Sequence, residues 1–302
     1  MNDAERAALR AIASRLAGDT SYRAAILSEL ERGQFREFRR YWAFEEEAWV
    51  SKHLDEVRRR AELLEVLALY APIANARVLV IGAGFGAEAV ALARAGARVA
   101  ALDLDRELLR FVGRRAREHD ARCARFVGDG LRPPFRAASF DWVLLRQVLE
   151  HVPRARQAPL LAAAGALLRP GGHLFVDTPN RRDPIDRHDT GLPFVHWLPR
   201  ALRVRIAKRL GRAVPTYEAG ADGAQVHVHD FATLREVRRA LPGFEMCSRY
   251  KEYPSVAAWA ELRAREGRRP SAVRRAALEV GVRWLGLAGW VPIRVVLRRT
   301  GE

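Results

Sequence analysis

Lysine is nearly missing from this chain: of 52 basic residues, only Lys52, Lys208 and Lys251 are not arginine. Against 36 acidic residues this leaves a formal charge of +16. A basic surface favours anionic partners such as nucleic acid, phosphorylated sugars or acidic lipid. Arginine in place of lysine throughout an alanine-rich chain is also what GC-rich coding produces, so charge alone names no partner. Cysteine is scarce as well. Cys123 and Cys247 lie far apart and neither has a CxxC partner, which excludes a disulfide framework and a zinc ribbon. A reducing, cytoplasmic setting is expected. No apolar run approaches the ~20 residues that cross a bilayer. The N-terminus, MNDAERAALRAIASRLAGD, is charged throughout and lacks the apolar core of a signal peptide.

What is present is enough hydrophobic sequence, 49% of 302 residues, to bury a full core, which excludes global disorder. Residues 1–70 contain no proline and show helical periodicity, with Leu63, Leu64, Val66, Leu67 and Leu69 forming an apolar face. This predicts a helical N-terminal cap, a lid or a dimer interface. At Val78 the pattern changes to VLVI, a short β-branched run of the kind buried on both faces of a parallel sheet. Strands are expected at 77–81, 98–102, 124–127, 140–145 and 172–177, with helices near 86–95, 105–119 and 157–168. Such alternation predicts an α/β fold, a Rossmann-like doubly wound sheet with ligand at the C-terminal strand ends.

The regular pattern lapses over 181–226, rich in Arg, Pro and Gly, with one candidate helix at 199–211. A helix at 231–240, a strand at 244–250, helix over 255–290 and a last strand at Ile293 to Leu297 are expected to follow. The domain reading is therefore 1–70 cap, 71–180 ligand-binding core, 181–230 insert and 231–302 completion of a seven-stranded, mostly parallel sheet.

Gly82-Ala-Gly84-Phe-Gly86 sits between a strand and a helix, where glycine allows a tight turn and a close ligand approach. The following helix aims its free N–H groups at whatever anionic group binds there. Asp103 ends the second strand, where a carboxylate can accept both hydroxyls of a ribose. Gly82, Gly84 and Ala87 also satisfy a nicotinamide dinucleotide fingerprint, which keeps an oxidoreductase open. Downstream stand Gly128-Asp129-Gly130, then Phe140-Asp-Trp-Val running into Arg146-Gln147-Val-Leu-Glu150-His151-Val152, then Leu168-Arg-Pro-Gly-Gly172.

This order of motifs, over roughly residues 75–180, resembles the class I S-adenosylmethionine-dependent methyltransferases, especially the small-molecule branch with the ubiquinone-biosynthesis type. The resemblance implies S-adenosylmethionine as cofactor. It implies that Gly82, Gly84 and Gly86 line the methionine end, that Asp103 holds the ribose, that Asp129 with Gly130 flanks the adenine, and that Arg146 and Gln147 lie beside the cofactor. One position departs from the pattern. The family usually carries an acidic residue two positions before the first glycine, and this chain has Val80.

Methyl transfer needs alignment and exclusion of water more than reactive side chains. For a hydroxyl acceptor a general base helps, and histidine is the expected type. Among His151, His196, His227 and His229, the expected catalytic residues are His196, in the insert, and His227, in Val-His-Val-His-Asp. That run alternates like a strand, so His227 and His229 could also bind a metal or substrate, although no metal is expected. Glu150 and His151 are read as packing and capping; relatives in the quinone pathway are known to use this motif for a divalent ion. O-methylation of a small-molecule, glycan-type or lipid-linked acceptor is the expected activity, with an NAD(P)-dependent oxidoreductase or a non-catalytic scaffold as alternatives. Nucleic acid is not expected, since neither the Asn/Asp-Pro-Pro-aromatic motif nor a Pro-Cys nucleophile is present. Leu198 to Arg212 and Val282 to Arg299 combine Arg with apolar and Trp residues, a pattern that can seat on anionic lipid. The favoured reading instead has Trp284, Leu285 and Trp290 covering the last strand. A homodimer is compatible with all of this.

Overall fold

The structure is a computed structural model and describes residues 63–212, 229–265 and 267–301. Seven strands form one sheet in the order β3-β2-β1-β4-β5-β7-β6. They are β1 (Arg77–Ile81), β2 (Arg98–Asp103), β3 (Cys123–Val127), β4 (Phe140–Arg146), β5 (Leu168–Thr178), β6 (Phe244–Met246) and β7 (Ile293–Arg299). β1 to β5 run parallel and β7 runs antiparallel between β5 and β6. Among the described residues the helices that accompany them include α1 (Ala87–Arg94), α2 (Arg106–Glu118), α3 (Arg154–Ala166), α4 (Arg200–Arg209), α5 (Leu234–Arg239), α6 (Val256–Arg265) and α7 (Ala272–Trp284). The expected doubly wound sheet is present.

The central strands are apolar on both sides because both sides are covered. Leu79, Ile81, Val143, Leu145, Leu174 and Val176 face α3 and α5 through Leu160, Leu161, Ala164 and Val237. Their alternating neighbours Val78, Val80, Leu144, Phe175 and Val296 face α1, α2 and the helical segment 63–68 through Ala89, Leu92, Val112, Leu64 and Leu67. Each such fully buried Leu or Val is worth roughly 1.5–3 kcal/mol of transfer free energy. β3 lies at the edge and is largely exposed.

Several expected elements change extent. The strand expected to 250 ends at Met246, and the continuous helix expected over 255–290 divides into α6 and α7 around Gly267 and Pro270. Proline lacks the N–H and clashes with the preceding turn, and Gly267 takes φ 74°, which a helix cannot hold. Trp284, Leu285 and Trp290 do not cover β7, contrary to expectation. They stand 73%, 73% and 46% exposed, while Val237 and Leu241 pack on the strands instead. Most of the cap expected at 1–70, and His227, lie outside the described residues.

The insert is fastened to the core by Glu236. It completes a capping box on α5, accepting from the Thr233 N–H and Oγ1 at 2.8 Å each, while Thr233 Oγ1 accepts from the Glu236 N–H. It also accepts from Arg154 at 2.5 Å and Arg181 at 3.1 Å. Burial works against its charge, but these donors outweigh it and hold the pKa at about 2, below the usual 4.5. A depressed carboxylate contributes stability that is full above about pH 4.5 and vanishes as pH falls through about 2. Because the side chain is 36% exposed, solvent screening keeps the effect small. We expect Glu236→Gln to cost about 1 kcal/mol at pH 7 in urea unfolding. Its deficit relative to wild type should shrink below pH 4.5; a gap independent of pH would contradict the assignment.

Candidate functional site

The glycine loop leaves β1 at Ile81 and is tied to β2, since the N–H groups of Gly82 and Ala83 both donate to the Leu102 carbonyl, at 2.8 and 3.2 Å. Gly82 has φ 66° and Gly84 has φ 50°, both left-handed. A β-carbon on Gly82 would meet Val148 at 2.4 Å, whereas one on Gly84 would project into open space. Gly82 therefore keeps the loop tight against the segment after β4, and Gly84 leaves backbone open to a ligand. Gly86 packs against Val112 of α2 in the same close manner as Gly82. From beneath, the buried Arg115 of α2 donates to the Phe85 carbonyl at 3.0 Å and sets the loop's height.

Asp103, at the end of β2, faces the opening. Its Oδ2 accepts from the Gly84 N–H at 2.9 Å and its Oδ1 from the Asp105 N–H at 3.0 Å. Burial raises its pKa despite these bonds. Next to it, Leu104 is 72% exposed, an apolar surface of the kind a purine covers. Asp129 and Gly130 turn the chain out of β3. Asp129 Oδ1 accepts from the Leu131 N–H at 2.9 Å, and Gly130 fits closely over Ile81 and Leu160.

At the end of β4, Arg146 spans the sheet. Its Nε donates to Asp177 Oδ2 at 2.8 Å and its guanidinium also pairs with Glu88, in the first turn of α1. Gln147, at φ 53°, donates its N–H to the Asp177 carbonyl at 2.7 Å. Val80, the departure noted above, is 3% exposed and sits in the apolar cluster.

A second group lies over the ends of β4 and β5. Asp189 Oδ1 accepts from His188 Nδ1 at 2.8 Å and from His229 Nδ1 at 2.6 Å. His229 Nε2 lies 3.1 Å from His151 Nδ1, and His188 Nε2 lies 3.4 Å from Glu150 Oε1. Glu150 Oε2 accepts from Thr178 at 2.9 Å. Burial opposes charge on His188, but bonding to Asp189 and Glu150 outweighs it and raises its pKa; the same contacts lower that of Asp189 against its own burial. Desolvation by the surrounding protein pushes His151 down to about 4.

The expected base His196 is not part of this group. Its ring is buried, its Nε2 bonds the Arg181 carbonyl at 3.2 Å, and its Nδ1 has no hydrogen-bond partner among the described residues. Glu88, Asp177, His188 and Asp189 were not identified from sequence. The signal available for Asp177 was an acidic residue closing an otherwise apolar strand; for His188 and Asp189 it was a polar Asp-x-x-Asp-x-His-Asp-Thr run inside an irregular insert. Gly82→Ala should cost about 1–3 kcal/mol through its left-handed backbone and the Val148 contact. Thermal unfolding checks this, and an unchanged midpoint would show that the loop tolerates a side chain there.

Residues 79–176 match the family described as methyltransferase domain. The chain is 37% identical over 129 residues to a ubiquinone biosynthesis O-methyltransferase of Xylella fastidiosa, covering 39% of this chain and 48% of that protein. To the protein of the same name in Ralstonia nicotianae it is 33% identical over 167 residues, 54% of this chain and 65% of that one. The chain thus spans about half the length of most of the curated relatives it matches. In fold it is similar to the Synechocystis magnesium protoporphyrin IX methyltransferase with bound S-adenosylhomocysteine, with a TM-score of 0.51 at 14% identity over 92% of this chain and 99% of that one. Residues 79–176 therefore form a methyltransferase domain similar to those of the ubiquinone biosynthesis O-methyltransferases.

Proposed function

We propose that this protein is an S-adenosylmethionine-dependent methyltransferase acting on a hydroxyl of a small-molecule or glycan-type acceptor. The observation that carries the reading is the opening at Gly84, where a β-carbon would meet nothing and the Asp103 carboxylate stands within hydrogen-bond distance of the loop N–H. Curated relatives named ubiquinone biosynthesis O-methyltransferase support oxygen as the acceptor atom. The two free cysteines fit a reducing, cytoplasmic location.

The bound cofactor supplies a methyl group on a sulfonium; as the acceptor oxygen bonds that carbon, the C–S bond breaks, its electron pair stays on sulfur, and the hydroxyl proton leaves. The chain's part is binding and alignment. Asp103 is assigned to the ribose hydroxyls, the exposed Leu104 and Asp129–Gly130 to the adenine side, and Gly82–Gly86 to the methionine end. Val80 offers no carboxylate for the methionine ammonium. We assign that contact to Glu88, which with Arg146 forms an ion pair matched to an amino acid's ammonium and carboxylate. His196 could serve as base only through Nδ1, because its Nε2 is committed to the Arg181 carbonyl.

Two outcomes follow. With methyl-labelled S-adenosylmethionine and a panel of phenolic and sugar hydroxyls, label should transfer to oxygen with stoichiometric S-adenosylhomocysteine; tight cofactor binding without transfer to any acceptor would favour the scaffold alternative. Glu88→Gln should weaken S-adenosylhomocysteine binding about tenfold, a 1.4 kcal/mol loss, while leaving 5′-methylthioadenosine, which lacks the amino acid, unaffected. Equal weakening of both ligands would remove Glu88 from the methionine contact.

A further inference from the structure

The insert after β5 builds a turn around the buried Asp186, whose carboxylate accepts from the N–H groups of Asp189 at 2.9 Å and Thr190 at 3.3 Å and from Thr190 Oγ1 at 2.9 Å. The turn holds His188 and Asp189 rigidly beneath the segment that returns at His229. Three donor atoms converge there: Nδ1 of His188, Nδ1 of His229 and Oδ1 of Asp189, contributed by positions 40 residues apart. The Asp189 side chain has no solvent exposure, and among the described residues its Oδ2 has no hydrogen-bond partner. An ionised carboxylate oxygen left bare in the interior is costly.

We propose that His188, His229 and Asp189 form a binding site for one divalent transition-metal ion. Two imidazole nitrogens and one carboxylate suit Zn²⁺, Fe²⁺, Mn²⁺ or Co²⁺ and leave coordination positions for water or a ligand oxygen. The ion takes the place of the protons on both Nδ1 atoms and compensates the bare Oδ2. Each histidine's other nitrogen is then an N–H donor with an acceptor in place. His188 Nε2 faces the buried Glu150 Oε1 at 3.4 Å, and His229 Nε2 faces His151 Nδ1 at 3.1 Å. Metal-bound histidines are characteristically oriented by a partner on the second nitrogen, a carboxylate above all. Glu150 is itself held by Thr178. His188 is 20% exposed against 2% for His229, so its side is the route of entry.

Glu150 and Thr178 fix the site at the C-terminal edge of β4 and β5. Resting on the methyltransferase reading above, an ion there would bind the acceptor hydroxyl and lower its pKa before transfer.

The test uses the full chain, stripped with a chelator and titrated with Zn²⁺, Mn²⁺ and Co²⁺ by calorimetry, with the visible spectrum of Co²⁺ as a second readout. One ion per chain is expected, with Co²⁺ ligand-field bands of nitrogen and oxygen coordination. His188→Ala, His229→Ala and Asp189→Asn should each lose more affinity than Glu150→Gln, for which an outer-sphere loss of roughly 10–100-fold is expected. His188→Gln replaces the alanine variant if that fails to fold. S-adenosylhomocysteine binding, measured on the same samples, is expected to be retained throughout; its absence in wild type would overturn the cofactor reading and leave the metal result standing. No saturable site in wild type, or equal binding in the ligand variants, overturns the proposal.

Discussion

The C-terminal edge of the sheet depends on one tie, the guanidinium of Arg146. It leaves the end of β4 and grips Asp177 at the end of β5 and Glu88 at the start of α1, so three neighbouring elements are fixed by one planar cation. Asp177 is simultaneously held by Arg294 at 3.2 Å, which brings the antiparallel β7 into the same network. A buried carboxylate between two arginines is stable only because each charge is answered. The result is a set of strand ends that cannot drift apart, and over them lie the glycine loop on one side and the histidine cluster on the other.

That arrangement separates two tasks. The loop side, with Gly84 and Asp103, is backbone and carboxylate, suited to a ribose and an adjacent polar tail. The other side, beyond β4 and β5, is imidazole and carboxylate, assembled from the insert. The insert is anchored at both ends, by Glu236 to Arg154 and Arg181, and by the Gln157 side chain, which donates to the Leu149, Val152 and Asp230 carbonyls. A cluster so buried needs such anchoring, because small displacements would leave charged groups unpaired in low dielectric.

The sheet was legible in the sequence wherever burial on both faces left an uninterrupted apolar run, as in Val78 to Ile81 and Trp142 to Leu145. The glycine loop and Asp103 were legible for a related reason: their spacing reflects local backbone geometry. Contacts made across long separations were not. Glu88 reads as an ordinary first-turn helix acid, and nothing local pairs it with Arg146, 58 residues away. His188 and Asp189 reach His229 only because the insert folds back over the strand ends, so Val-His-Val-His-Asp looked like a strand pairing His227 with His229. The solvent-facing Trp284 and Leu285 were misjudged for the converse reason, since an apolar residue near a strand is not thereby placed on it.

The central claim is that the opening between the glycine loop and Asp103 is an adenosyl-cofactor site, and calorimetry tests it most directly. S-adenosylhomocysteine and S-adenosylmethionine should bind wild type at one site per chain, NADH and NADPH should not, and Asp103→Ala should lose the ribose contact and bind at least about tenfold more weakly. Binding of a nicotinamide cofactor alone, or adenosyl binding indifferent to Asp103, would contradict the account.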